Sequence, residues 1–166
     1  MMPDYFQLPD IVTLEDHNGN FPEFLAAVYS IYKKDFIDSK PVFRTRKLGL
    51  KRFPIIDGME KSFYHFTHEG DIENERIPDL RRMERMSWPS PMINKSEHTY
   101  LKVWKNKRGT SERILIFHED ENYLVILDDR KEYLLPWTAY FIKHDHKKRS
   151  LLKEYQAYIK AEAAQN

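Results

Sequence analysis

The sequence predicts an α+β protein in which a four-stranded antiparallel meander carries helices packed on one face, one before it in the chain and one after it. Three observations lead there. Four apolar, β-prone segments follow one another between residues 100 and 142, joined only by "KRGTS", "EDEN" and "DRKE". Links that short cannot make a parallel crossover, so successive strands are antiparallel neighbours. Apolar residues recur at helical spacing near both ends of the chain. The composition is globular, with 166 residues, 41% hydrophobic and 32% charged, which suits one core.

The elements follow in order. Residues 1–19, with Pro3 and Pro9, read as an extended lead-in. Asn20 then caps a helix, with Glu23 three residues on and Pro22 in the first turn, where its missing N–H costs nothing. Phe21, Phe24, Leu25, Val28, Ile31, Tyr32 and Phe36 form its stripe, and Lys40-Pro41 ends it. "VFRTRKLGLKRFPII" alternates like a strand or hairpin and holds Arg44, Arg46, Lys47, Lys51 and Arg52 without an acid. "KSFYHFTHEG" reads as a short aromatic strand running into a loop at Gly70.

Residues 77–88, "IPDLRRMERMSW", read as a helix, interrupted by Pro89 and Pro91, with a further short turn at 92–96. The strands are expected at 100–106, 112–118, 123–128 and 133–142. A final helix opens at "DHKKR" and turns Leu151, Leu152, Tyr155, Tyr158 and Ile159 to one side. Residues 1–58 form an N-terminal extension to a main region, 59–166, the two making one compact unit.

Several function classes drop out. A net charge of +1 gives no global attraction to nucleic acid, so only local clustering can support it. With no cysteine, disulfides, thiol chemistry and the commonest zinc ligand are absent. The N-terminus lacks a positive region followed by an apolar run, and no apolar run could span a bilayer. The expectation is a cytoplasmic protein without membrane contact. His118, His144 and His146 do not make a metal motif, and five isolated glycines make no phosphate-cradling loop, so neither metal nor cofactor is expected.

The last strand carries the first functional hint. Strict alternation puts Leu135, Trp137, Ala139 and Phe141 on one face, and Leu134, Pro136, Thr138, Tyr140 and Ile142 on the other. Thr138 and Tyr140 then point the same way, about 6–7 Å apart, a gap that suits a phosphate. Pro136 cannot donate to a ladder and marks an edge or bulge, a device that often re-aims side chains beside a site. Thr and Tyr are also simply good strand formers.

Arg81, Arg85 and Trp88 share a helical face, with Arg82 beside them, able to clamp phosphate and stack a base. The same face can instead be solvated, its arginines paired with Glu84 and Asp79. His65, in "FYHFT", titrates near neutrality if unperturbed and could serve as acid or base, or could simply pack among the rings. Basic stretches at Arg44–Arg52 and Lys102–Arg113 could guide a polyanion.

Taken together, "SFYHFT", "ERIPDLRRMERMSW", "YLVILDDRKEYLLPWTAYFI" and "HKKRSLLKEYQAY" resemble a phage- and prophage-associated group of predicted nucleases in the barnase–EndoU–colicin–RelE (BECR) superfamily. The likeness covers roughly residues 59–160. It implies a helical N-terminal part before a four-stranded antiparallel sheet, and metal-independent RNA cleavage on the sheet face. It places the family's histidine on His65, its helix arginines on Arg76, Arg82 and Arg85, its acid on Glu75, and its last-strand pair on Thr138 and Tyr140. His68 is a second candidate for the histidine.

The expected activity is an endoribonuclease that uses attack by the ribose 2′-OH. His65, Arg82, Arg85, Thr138 and Tyr140 would act at the phosphate. Glu75, Arg76, Arg81, Trp88, Lys102 and Arg113 would hold the substrate. RNA is the expected partner, with an inhibitor or antitoxin protein as a second. The alternatives are a non-catalytic RNA- or protein-binding module, and a phage accessory protein.

Overall fold

The structure, a computed structural model, describes residues 4–50, 55, 58–70, 72 and 75–165. Lys51 and Arg52 of the first basic stretch lie outside the described residues. A short 3-10 turn, Glu15–His17, leads into helix α1, Phe21–Tyr32. The Asn20 side chain accepts the Glu23 N–H at 3.1 Å, the cap that the sequence specifies. A wider π-helical turn, Lys33–Asp38, follows. Phe24, Val28, Tyr32 and Phe36 are fully buried at steps of four residues. Four residues overshoot one α turn but fall short of an i→i+5 turn, so the wider turn returns Phe36 to the stripe.

Strands β1, Val42–Phe43, and β2, Arg46–Lys47, make the anticipated hairpin. It is tied to the sheet by Arg46, which donates to both Asp129 oxygens at 2.9 and 3.0 Å. The aromatic segment is not a strand. Lys61–Thr67 forms helix α2, all of Ser62–Thr67 buried, and Thr67 donates back to the Phe63 carbonyl at 2.9 Å. Aromatic residues favour strands only where a pleated surface receives them. Here Phe63 and Phe66, three apart, share a helical side that joins the core.

Two-residue strands β3, His68–Glu69, and β4, Ile77–Pro78, pair across the next loop. That pairing delays the following helix, α3, to Leu80–Glu84, where Asp79 caps the N–H groups of Arg81 and Arg82 at 3.0 and 3.3 Å. Pro89 and Pro91 do not end helical structure there. They occupy the first turn of α4, Pro89–Asn94, where proline is tolerated.

The meander is as expected: β5, Lys102–Arg108; β6, Ser111–His118; β7, Tyr123–Asp129; and β8, Leu134–Phe141, hydrogen-bonded in that order and all antiparallel. Helix α5, Asp145–Ala164, closes the described chain. Helices cover both faces rather than one. Ile114, Ile116, Val125 and Leu127 pack with Phe24, Val28 and Tyr32 of α1 and Met92 of α4. The alternate residues Leu115, Phe117, Leu124 and Ile126 pack with Leu151 of α5. β6 and β7 therefore read as nearly continuous apolar runs, the pattern of strands buried on both faces. Phe6 and Leu8 of the lead-in belong to the same core as the sheet.

Candidate functional site

β8 is one edge of the sheet, joined at Leu134 to Leu48 by a single parallel bridge, and α2 and α3 pack against it. Its register shifts in the middle: Leu127 faces Pro136 while Ile126 faces Thr138, leaving Trp137 as the extra residue. Pro136 thus marks both an edge strand and a bulge. The bulge changes the phase of the alternation. Leu134 and Ala139, assigned opposite faces from sequence, both join the α1 side. Thr138 and Tyr140 do share a face, opposite Ile126 and Leu124, whose side chains pack toward α5.

Arg82 reaches this strand from α3. Its Nη1 donates to the carbonyls of His65 and His68 at 3.3 and 2.9 Å and to Thr138 Oγ1 at 3.3 Å. The Thr138 hydroxyl in turn donates to the His65 carbonyl at 3.2 Å. Asp79 lies 3.3 Å from Arg82 Nε. Arg82 therefore fastens the C-terminal end of α2 to β8, satisfying carbonyls that a helix end leaves open. The Thr138 donor is used inside that network. His65 is 3% exposed, its ring 5.0 Å from Trp137. His68 is equally buried, its Nδ1 2.8 Å from Thr67 Oγ1 and its ring stacked on Tyr64.

Tyr140 is different. It is half-buried, and the Arg82 guanidinium lies over its ring at 5.2 Å. Two adjoining clefts meet at Tyr140 and Lys147, on the first turns of α5. One, of about 550 Å³, also takes in Arg82, Glu69, Lys143 and His144. The other, of about 390 Å³, takes in Arg108, Arg113 and Glu154. Burial raises the Tyr140 pKa, while the charges of Arg82, Arg108 and Arg113 pull against that rise. The phenol accordingly keeps its proton at neutral pH and is a donor. Burial, then the neighbouring Arg108, lowers the Arg113 pKa, and its guanidinium lies 5.3 Å over Trp137. The arrangement is a concave surface on which Arg82, Arg108, Arg113, Lys143 and Lys147 outnumber Glu69, Asp79 and Glu154 around one phenolic donor, suited to an anion.

The remaining sequence candidates lie elsewhere. Arg81 and Arg85 stack on Phe141 at 5.1 and 5.4 Å, and Arg85 also on Trp88 at 5.1 Å, so the three lie together, but not as one helical face, because α3 ends at Glu84. They meet the strand through Phe141, whose side alternates with that of Tyr140. Trp88 is 5% exposed, with its indole donating to the Pro9 carbonyl at 2.7 Å and its ring edge-on to Tyr123, so it is not presented to a base. Glu75 is exposed in the loop before β4, and the Arg76 carbonyl accepts from the Tyr64 hydroxyl at 3.2 Å. Lys102 bonds Glu119 at 2.8 Å and sits opposite Phe117, across the sheet from β8.

Sequence reasoning overlooked Arg108, His144 and Lys147 as members of this group. "HDHKKR" reads as a solvated helix start, and Arg108 as one charge in a basic run. Only strand register and the docking of α5 bring them to Tyr140. Among the described residues no group of three His, Asp or Glu side chains could hold a metal ion, and no helix is long and apolar enough to cross a membrane. No protein-family profile, no curated protein and no solved structure matches this chain.

Proposed function

We propose that the protein is a metal-independent endoribonuclease whose substrate lies in the paired clefts beside β8. The observation that carries this reading is the convergence of Arg82, Arg108, Arg113 and Lys147 on the protonated Tyr140 phenol. The resemblance to the BECR nucleases supports it, and an antiparallel four-stranded sheet with helices is compatible with that likeness.

In this reading the 2′-OH gives its proton to His144, the exposed imidazole that shares the cleft with Tyr140. The freed oxygen bonds to the adjacent phosphorus, and the bond from phosphorus to the 5′ oxygen breaks. Tyr140 protonates that departing oxygen, leaving a cyclic phosphate and a 5′-hydroxyl. Arg108, Arg113 and Lys147 balance the charge on the phosphorane, the preorganised electrostatic role. Arg82 and Thr138 position β8, and buried His65 is support for Trp137.

The test is incubation with mixed RNA in EDTA. Cleavage to cyclic-phosphate ends is expected, falling on the order of 100-fold or more in Tyr140→Phe, as for loss of a general acid. Cleavage that requires added magnesium would falsify the reading. A second reading, a non-cleaving RNA-binding module, is favoured by one observation: His65, Arg82 and Thr138 are all engaged within the fold. It predicts salt-dependent RNA binding with no products at any enzyme concentration.

A further inference from the structure

At the sheet's other edge no strand among the described residues pairs with the outer side of β5, and a cleft of about 980 Å³ wraps around it. On one side stands the β1–β2 hairpin, with Phe43 and Arg44. On the other stands the C-terminal half of α5, with Tyr158, Ile159 and Glu162. Trp104 and Lys105 of β5 lie between them.

Three features of this cleft bear on what it could receive. The Trp104 indole N–H is buried yet has no acceptor among the described residues. A buried unpaired donor costs roughly 1–3 kcal/mol. Arg44, at the hairpin tip, has φ 58°, in the left-handed region where glycine or asparagine is the usual choice. The two-residue turn itself demands that conformation, and arginine in place of glycine sets a cation beside the cleft. The Arg44 guanidinium lies over the Phe43 ring at 5.0 Å, and both residues line the cleft with Tyr158. Finally, an end strand presents a row of free N–H and C=O groups.

We propose that the β5 edge is a docking slot for an extended acidic segment of a partner protein, which adds to the sheet as a fifth strand. Main-chain pairing with β5 supplies the affinity, and alternate side chains supply the selection. Apolar residues of the guest meet Phe43, Val103, Tyr158 and Ile159, and a carboxylate meets Arg44 and Lys105. The guest lies against Trp104, so the buried indole N–H reports its arrival through the surrounding packing. Exposed Lys105 and Lys107 discourage two copies of β5 from pairing with each other, and the same charges favour an acidic strand. The slot shares no lining residue with the clefts at β8 and stands whether or not RNA is cleaved there.

The experiment uses a capped alternating Glu–Val peptide as long as β5, its Lys–Val counterpart, and a single-stranded RNA oligomer. The chain has three tryptophans, and Trp104→Phe assigns the indole resonance. The Glu–Val peptide should shift the Trp104 N–H resonance and slow hydrogen exchange in β5, while the Lys–Val peptide does neither. Arg44→Gly should raise the unfolding midpoint by relieving strain, yet weaken the peptide about tenfold. The proposal is overturned if β5 exchange is unchanged, if both peptides act alike, if Arg44→Gly binds as tightly as the parent, or if only the RNA moves the Trp104 signal.

Discussion

Tyr140 and Asp129 show how differently burial and partners act on single residues. Tyr140 is kept neutral by burial despite three neighbouring guanidinium groups. If it donates during cleavage, Tyr140→Phe retains RNA binding to within a few-fold while turnover collapses, a split between KM and kcat read in single-turnover kinetics. Asp129 is held below the usual carboxylate range, first by its hydrogen bonds from Arg46. A depressed folded pKa contributes stability that is present above the unfolded value near about 3.9 and is lost as pH falls through the folded value. Asp129→Asn should therefore lower the unfolding midpoint at pH 7 and flatten the acid side of the stability curve below about pH 4, measured by thermal melts across pH. An unchanged acid limb would show that the Arg46 pair is not coupled to folding.

At the scale of elements, the fold depends on how α2, α3 and β8 are joined. α3 has only five residues and no stability of its own, since short helices need caps and tertiary contacts. Asp79 supplies the cap to two N–H groups and lies against Arg82, which makes the tertiary contacts. Asp79→Ala should cost about 1–2 kcal/mol in urea unfolding. It should also loosen Arg82, so that protection of β8 amides falls more than that of β6. Thr138→Val removes both hydrogen bonds that Thr138 makes while keeping its shape, and should cost about 1 kcal/mol. Equal loss of protection in every strand would mean that this joint is not a separate unit. The element boundaries that sequence missed lie here too. The aromatic segment became α2 because its neighbours bury it on every side, a fact of packing that local pattern does not carry. The four strands were legible because short connectors and apolar runs are properties of the chain itself.

At the scale of the whole molecule, a nearly neutral chain gathers positive charge where β8 meets α5 and where β5 meets the hairpin. If RNA is the ligand at the first place, its binding should weaken steeply with salt, because each phosphate contact releases counterions. Arg108→Ala and Lys147→Ala should each reduce the slope of log K against log salt by about 0.7, the single-strand value. Lys102→Ala, already paired with Glu119, should leave that slope unchanged. A slope unaffected by Arg108 and Lys147 would remove the clefts from the binding path.

The sequence by itself determined the meander, the Asn20 cap, the final helix and the pairing of Thr138 with Tyr140 on one face. Each follows from spacing, chain stiffness or a local hydrogen bond. Tertiary structure alone decided that the sheet is covered on both sides, that a bulge at Trp137 resets the alternation, and that His65 is enclosed while His144 is open. It also decided which cations surround Tyr140. Those outcomes depend on how elements distant in sequence dock, and burial and electrostatic neighbourhood are properties of that docking rather than of any local pattern.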